Sequence, residues 1–203
     1  MQAITFDHVK VWGEVVEDNA SFTHWHAADF LERYDSNFIA FKQLPTVDVF
    51  QQAETYLAQF HQQRGQHHLK FYLPDNTYLQ QDLQEYTKAA GYLESSLELY
   101  AIEPHAFRSK PAVSTVIIEE VTKENLEELI ALKYAEDLQF GEQFAKNKEG
   151  FIRLQFQDEA VQQLIAFEEG IAVGYVDVHL TQTTAEIDEL TVKEAFQKRG
   201  IGS

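Results

Sequence analysis

The chain contains no cysteine in its 203 residues, which rules out disulfides and thiolate metal centres and favours the reducing cytoplasm over secretion. No stretch approaches 18 consecutive apolar residues, so no membrane-spanning helix is expected. Met1 to Asp7 has neither the basic nor the apolar region of a secretory leader. Basic residues are also scarce: 16 against 33 acidic ones leave a formal charge of −17. Such a field repels a phosphate backbone and argues against nucleic acid, while it attracts cations such as an amine-bearing substrate; solubility alone is the plainer explanation. Apolar residues at 44% and aromatics at 13% exceed what a disordered chain carries, so a packed core is expected.

The excess charge is not gathered in a tail, since residues 1–103 carry 15 acidic and 6 basic side chains. Between Pro104 and Ser114 two prolines, Arg108, Ser109 and Lys110 interrupt periodic sequence on both sides, which predicts a linker over 104–114 between domains 1–103 and 115–203. In the first domain a buried strand is expected over Asn37–Lys42, and a helix from the Thr46 cap to about Arg64, stopped by Gly65. A second strand over His68–Leu73, a second helix over Asn76–Ala90 and a third strand over Leu93–Ile102 follow. Alternating strands and helices imply some parallel pairing. The first 36 residues show no decisive pattern.

After the linker, Val116–Val121 reads as a strand and Thr122 as the cap of a helix to about Leu138, with Leu126, Leu129, Ile130 and Leu138 inward. An aromatic stretch, 140–156, leads into a helix ending near Gln163. Leu164–Phe167 and Ile171–Leu180 form a hairpin around Glu169-Gly170, and Ala185–Val192 is the strand that feeds Gln197-Lys198-Arg199-Gly200-Ile201-Gly202. Two glycines one residue apart let the backbone turn tightly and offer successive N–H groups to an anion. Short loops of this kind are common, so the loop gains meaning only from its context.

With that context, residues 115–203 resemble the first half of a GNAT-superfamily N-acetyltransferase. Gln197, Gly200 and Gly202 match the family's acetyl-CoA signature, Glu186 to Val192 its central fourth strand, and Phe167 to Tyr175 its second hairpin. The resemblance implies direct acetyl transfer from acetyl-CoA to an amine of a small molecule or peptide. It places the pyrophosphate on the amides of Arg199, Gly200, Ile201 and Gly202, with charge from Lys198 and Arg199, and the pantetheine on the backbone near Leu190 and Val192. Glu186 sits where the family's histone acetyltransferases carry their base, and Asp188 where polyamine acetyltransferases carry a glutamate. On a regular strand these two share a face and Glu189 points the other way; solvated edge charges are the alternative for all three.

The family's fold continues after the glycine loop with a helix that completes the anion site, so weak acetyl-CoA binding is expected of residues up to Ser203. Leu83 to Tyr92 resembles the family's late helix, whose tyrosine serves as general acid, and Tyr86 matches that position. The first domain is then either a degenerate half of a tandem acetyltransferase or a permuted completion of the second. His24, His26, His67, His68 and His179 read as packing or loop residues, and no metal site is expected without cysteine or a spaced acidic partner. The expected class is α/β (α+β): a mostly antiparallel GNAT-like sheet flanked by helices, preceded by a degenerate GNAT-like α/β domain. An N-acetyltransferase is the first reading and a non-catalytic binding or dimerisation module of the same fold the second; a homodimer is left open.

Overall fold

The computed structural model describes residues 4–108 and 115–202. The chain divides into two compact units, Met1–Ala101 and Ile102–Ser203. Of the expected linker, Pro104–Ala106 form one turn of 3-10 helix, while residues 109–114, like Ser203, lie outside the described residues.

In the first unit, strands β1 (Glu14–Asp18), β2 (Phe22–His26), β3 (Phe38–Phe41) and β4 (Phe71–Tyr72) form a sheet in that order. The first two pairings are antiparallel and β3–β4 is parallel. Helix α1 (Val47–Gln62) starts where the Thr46 hydroxyl accepts the Val49 N–H, and α2 (Gln81–Ala89) follows β4. Their apolar stripes and β3 enclose Phe22, Ile39, Phe41, Phe50, Ala53, Leu57 and Leu83. Three expectations fail here. Asn76 adopts φ 56°, so α2 begins five residues later than expected. Only Phe71–Tyr72 of the stretch 68–73 pairs as strand. Residues 93–103 form no strand, because none of the described strands lies beside them, and Leu93 and Tyr100 stand 99% and 83% exposed.

The unassigned N-terminal region supplies β1 and β2. Because side chains alternate along a strand, Phe22, His24 and His26 of β2 all turn inward. There His24 packs edge-on to Phe60 at 4.6 Å, His26 to Phe60 at 5.0 Å, and His61 lies 4.8 Å from His68 between ring centroids. His24, His26, His61 and His68 are thus packing residues, whereas His67 is exposed; among the described residues no group of three His, Cys, Asp or Glu side chains is placed to hold a metal.

The second unit is an antiparallel sheet of β5 (Val116–Glu120), β6 (Val161–Glu168), β7 (Ile171–Leu180) and β8 (Ala185–Val192) in sequence order. Helices α3 (Leu126–Asp137) and α4 (Glu142–Gln157) lie on one face, and Leu129, Ile130, Leu132, Ile152, Ile165 and Tyr175 fill the space between. The hairpin turn is two residues long, with Glu169 at φ 51° and Gly170 at φ 79°. Both central residues of that turn type need positive φ, and the twist it imposes matches that of the strands.

Two helix boundaries differ from expectation for local reasons. Asn125 Oδ1 accepts the Thr122 N–H at 2.7 Å, and Thr122 Oγ1 accepts the Glu124 N–H at 3.3 Å, so a side-chain-bonded turn precedes α3. Likewise Asp158 Oδ1 accepts the Ala160 N–H at 2.9 Å, which ends α4 and leaves 161–163 free to join β6. Leu138 is 46% exposed rather than inward. Among the described residues no helix is long and apolar enough to cross a membrane.

Close pairing of β7 and β8 depends on Gly174, where an added Cβ would lie 2.8 Å from the Thr191 carbonyl oxygen. That atom is ladder backbone and cannot yield without parting the strands. Gly174→Ala is therefore expected to cost about 2 kcal/mol or more and to lower the melting temperature by roughly 5 °C, which scanning calorimetry would detect. An unchanged transition would mean that the strands separate at no cost.

Candidate active site

The register of β7 and β8 places His179 opposite Glu186 and Asp177 opposite Asp188. Directly opposed residues of an antiparallel pair share a face, and Tyr175, two residues before Asp177, packs into the core under α3. The four side chains therefore lie on the helix-covered face, with Asp188 Oδ2 3.7 Å from His179 Nε2. The expectation that Glu186 and Asp188 share a face holds.

That for Glu189 does not. Between the pairs Tyr175–Thr191 and Asp177–Asp188, β7 advances two residues and β8 three. The extra residue makes a β-bulge in which Glu189 takes φ 48°. Strict alternation ends there, and the Glu189 carboxylate turns toward the helices, 3.0 Å from Lys133 Nζ and 3.2 Å from Lys148 Nζ. Asp188 Oδ1 accepts the Glu189 N–H at 2.9 Å.

Lys133 is the buried charge beside these carboxylates that the sequence pattern alone does not single out. It stands four residues after Leu129 and three after Ile130, on the buried stripe of α3, and its side chain is 0% exposed. Moving an ammonium out of water costs several kcal/mol unless it is paired. Here Nζ lies 2.6 Å from Asp177 Oδ2, 3.0 Å from Glu189 Oε2 and 4.8 Å from the centre of the Tyr175 ring. Burial pulls the Lys133 pKa down, but Asp177 and Glu189 outweigh it and the net direction is upward, so the side chain stays charged. Burial also raises the Tyr175 phenol to about 12 and the Asp137 carboxyl, the latter against the pull of Lys148 at 3.2 Å. Gln163 Nε2 completes the shell of Asp177 at 3.2 Å. A lysine on an apolar stripe was the available signal.

The glycine loop leaves β8 through a 3-10 turn at Glu194–Phe196. Lys198 at φ 60° and Gly200 at φ 85° put left-handed backbone on either side of Arg199. Gln197 Nε2 donates to the Val192 carbonyl at 2.9 Å and ties the loop back to the strand. Arg199 donates to Glu168 Oε1 at 2.6 Å, so its charge is already matched, whereas Lys198 is exposed. Ile201 lies over the sheet face away from the helices, in a shallow apolar hollow with Ile118, Leu164, Val176, Leu190 and Val192. Leu190, Val192, Gln197, Lys198, Arg199, Gly200, Ile201 and Gly202 thus form one continuous strand-to-loop edge. Tyr86 lies in the first unit, where its hydroxyl donates to Glu54 Oε2 at 2.6 Å beside that of Tyr92, at 2.5 Å from Oε1.

The second unit is thus an antiparallel sheet with helices on one face, a bulged edge strand and a glycine loop at its end. Residues 124–203, in the second unit, match the Acetyltransferase (GNAT) family. Residues 4–100 match a domain of unknown function (DUF5613). Along 98% of its length the chain resembles a functionally unknown conserved protein from Staphylococcus epidermidis, at 27% identity and TM-score 0.87, covering 79% of that chain. It also resembles the ribosomal-protein-alanine N-acetyltransferase of Brucella melitensis biovar Abortus, at 22% identity and TM-score 0.35 over 43% of this chain and 63% of that one. A structure of AAC(6')-Iy in complex with the bisubstrate analog CoA-S-monomethyl-acetylneamine is similar at 20% identity and TM-score 0.35, over 43% and 64%. The chain therefore spans less than two thirds of these two acetyltransferases. No curated protein matches it.

Proposed function

We propose that the second unit transfers an acetyl group from acetyl-CoA to a primary amine in the cytoplasm. The observation that supports this most is the sequence of features along β8. Asp188 leaves it on the helix face and Leu190 on the other, and the glycine loop follows within a few residues. Loop amides from Arg199 to Gly202 would hold the pyrophosphate, and the β8 backbone at Leu190 and Val192 the pantetheine. The acceptor amine would approach over the helix face, where Glu186 and Asp188 favour a cation.

In the reaction the amine nitrogen attacks the thioester carbonyl carbon, the nitrogen's proton passes to Asp188 or Glu186 directly or through one water, and the carbon–sulfur bond breaks. The departing thiolate then takes a proton. Tyr86 is assigned no step of this reaction, since its hydroxyl donates to Glu54 within the first unit.

The test is thiol release from acetyl-CoA by the full chain with a panel of primary amines, at millimolar acetyl-CoA so that a weak site is filled. Amine-dependent release is expected. Acetyl-CoA binding in calorimetry without release from any amine would favour the binding module, and absence of both would overturn the reading.

A further inference from the structure

Glu189 and the two lysines that meet it perform no step of the proposed reaction, yet they meet at the middle of the strand on which that reaction depends. A left-handed backbone is unfavourable for glutamate and persists only where its surroundings impose it. At φ 48°, Glu189 is such a residue. Its imposing partners come from both helices: Lys133 from α3, fixed from below by Asp177, and Lys148 from α4, which also holds Asp137. We infer that the Lys133–Glu189–Lys148 ion bridge is a clamp that fixes the β8 bulge, making Glu189 a positioning residue that sets the directions of Asp188 and Leu190.

The inference rests on the acetyltransferase reading for its consequence in turnover, and on the bulge geometry for its physical content. The bulge stands between the candidate base at 188 and the candidate pantetheine-binding backbone at 190, so relaxing it turns one relative to the other. Displacements of about an ångström between reacting groups cost up to 10²-fold in rate. The clamp acts through φ, and glycine adopts that φ without a side chain. Alanine removes the clamp and keeps the steric penalty.

Lysine variants are poor probes, because Lys133→Met leaves the buried Asp177 carboxylate without a counter-ion and endangers folding. Glutamate variants leave each lysine one carboxylate, Asp177 for Lys133 and Asp137 for Lys148. Glu189→Ala is expected to lower kcat by about 10-fold or more at saturating acetyl-CoA, and Glu189→Gly to recover activity to within about threefold of the native protein. Equal loss in both would mean that the carboxylate itself takes part, and equal retention that the bulge needs no clamp; either overturns the inference. Amide chemical shifts of residues 188 to 190 supply a second readout that needs no turnover. The alanine variant should shift them far more than the glycine variant. Should the native protein acetylate no amine, the function fails while these shifts still decide the clamp; indistinguishable alanine and glycine spectra would overturn it.

Discussion

Asp188→Asn is expected to lower turnover by 10²- to 10⁴-fold while leaving the KM for acetyl-CoA within a few-fold, the signature of a group that acts in the transition state rather than in cofactor binding. Asparagine keeps the size of aspartate and can still accept the Glu189 N–H that Asp188 Oδ1 now accepts at 2.9 Å. The bulge should survive the change, so that loss of activity reports loss of the proton acceptor. Glu186→Gln should fall less, because Glu186 lies opposite His179, two pairs farther from the bulge and the glycine loop than Asp188. Steady-state rates against acceptor amine, taken across pH, measure both. Near-native rates in both variants would place the base elsewhere or show that the amine arrives unprotonated.

Acid should weaken the first unit steeply between pH 6.5 and 4. His24 is buried without exposure, its Nδ1 3.1 Å from the Tyr56 hydroxyl and its Nε2 without a hydrogen-bond partner. Burial, reinforced by repulsion from His61, His26 and Arg64, lowers its pKa from 6.5 to about 4. Burial lowers His68 to about 4 as well, opposed by its contact with the Asn37 carbonyl, and lowers His26 and His61 in the same direction. A group whose folded pKa lies below its unfolded value of 6.5 binds more protons when unfolded. Its contribution is complete above pH 6.5 and is lost as pH falls toward the folded value. Each such histidine steepens the decline by about 1.4 kcal/mol per pH unit in that window.

Both tryptophans, Trp12 and Trp25, belong to the first unit, so their fluorescence follows its unfolding within the intact chain. The urea midpoint is expected to be level above pH 7 and to drop sharply by pH 5. His24→Phe, which fits among Phe22, Tyr56 and Phe60, should flatten that drop. A midpoint unchanged from pH 7.5 to 5 would refute the assignment.

Much of the second unit is legible in its residues because the governing interactions are local. The Glu169-Gly170 turn and the alternation on either side define the β6–β7 hairpin, and β8 spans 185–192 as its pattern requires. In the first unit Thr46 and Gly65 bracket α1 for the same reason. Residues 93–103 alternate like a strand and form none, since a strand needs a partner and local pattern cannot supply it. Residues 14–26 show no decisive pattern and are strands, because β2 lies between β1 and β3 and gains its burial from them.

The same division runs through the candidate site. By itself the sequence determined the strand carrying Glu186 and Asp188, their common face and the glycine loop beyond, since period two and glycine's freedom at positive φ are properties of the chain at hand. Only the tertiary structure decided the direction of Glu189, the burial of Lys133 and the pairing of Arg199 with Glu168. Each of these depends on charges brought together from α3, α4 and β6, over separations as large as the 56 residues from Lys133 to Glu189. The interaction that offsets the burial of an ammonium exists only after folding, and no strand periodicity encodes it.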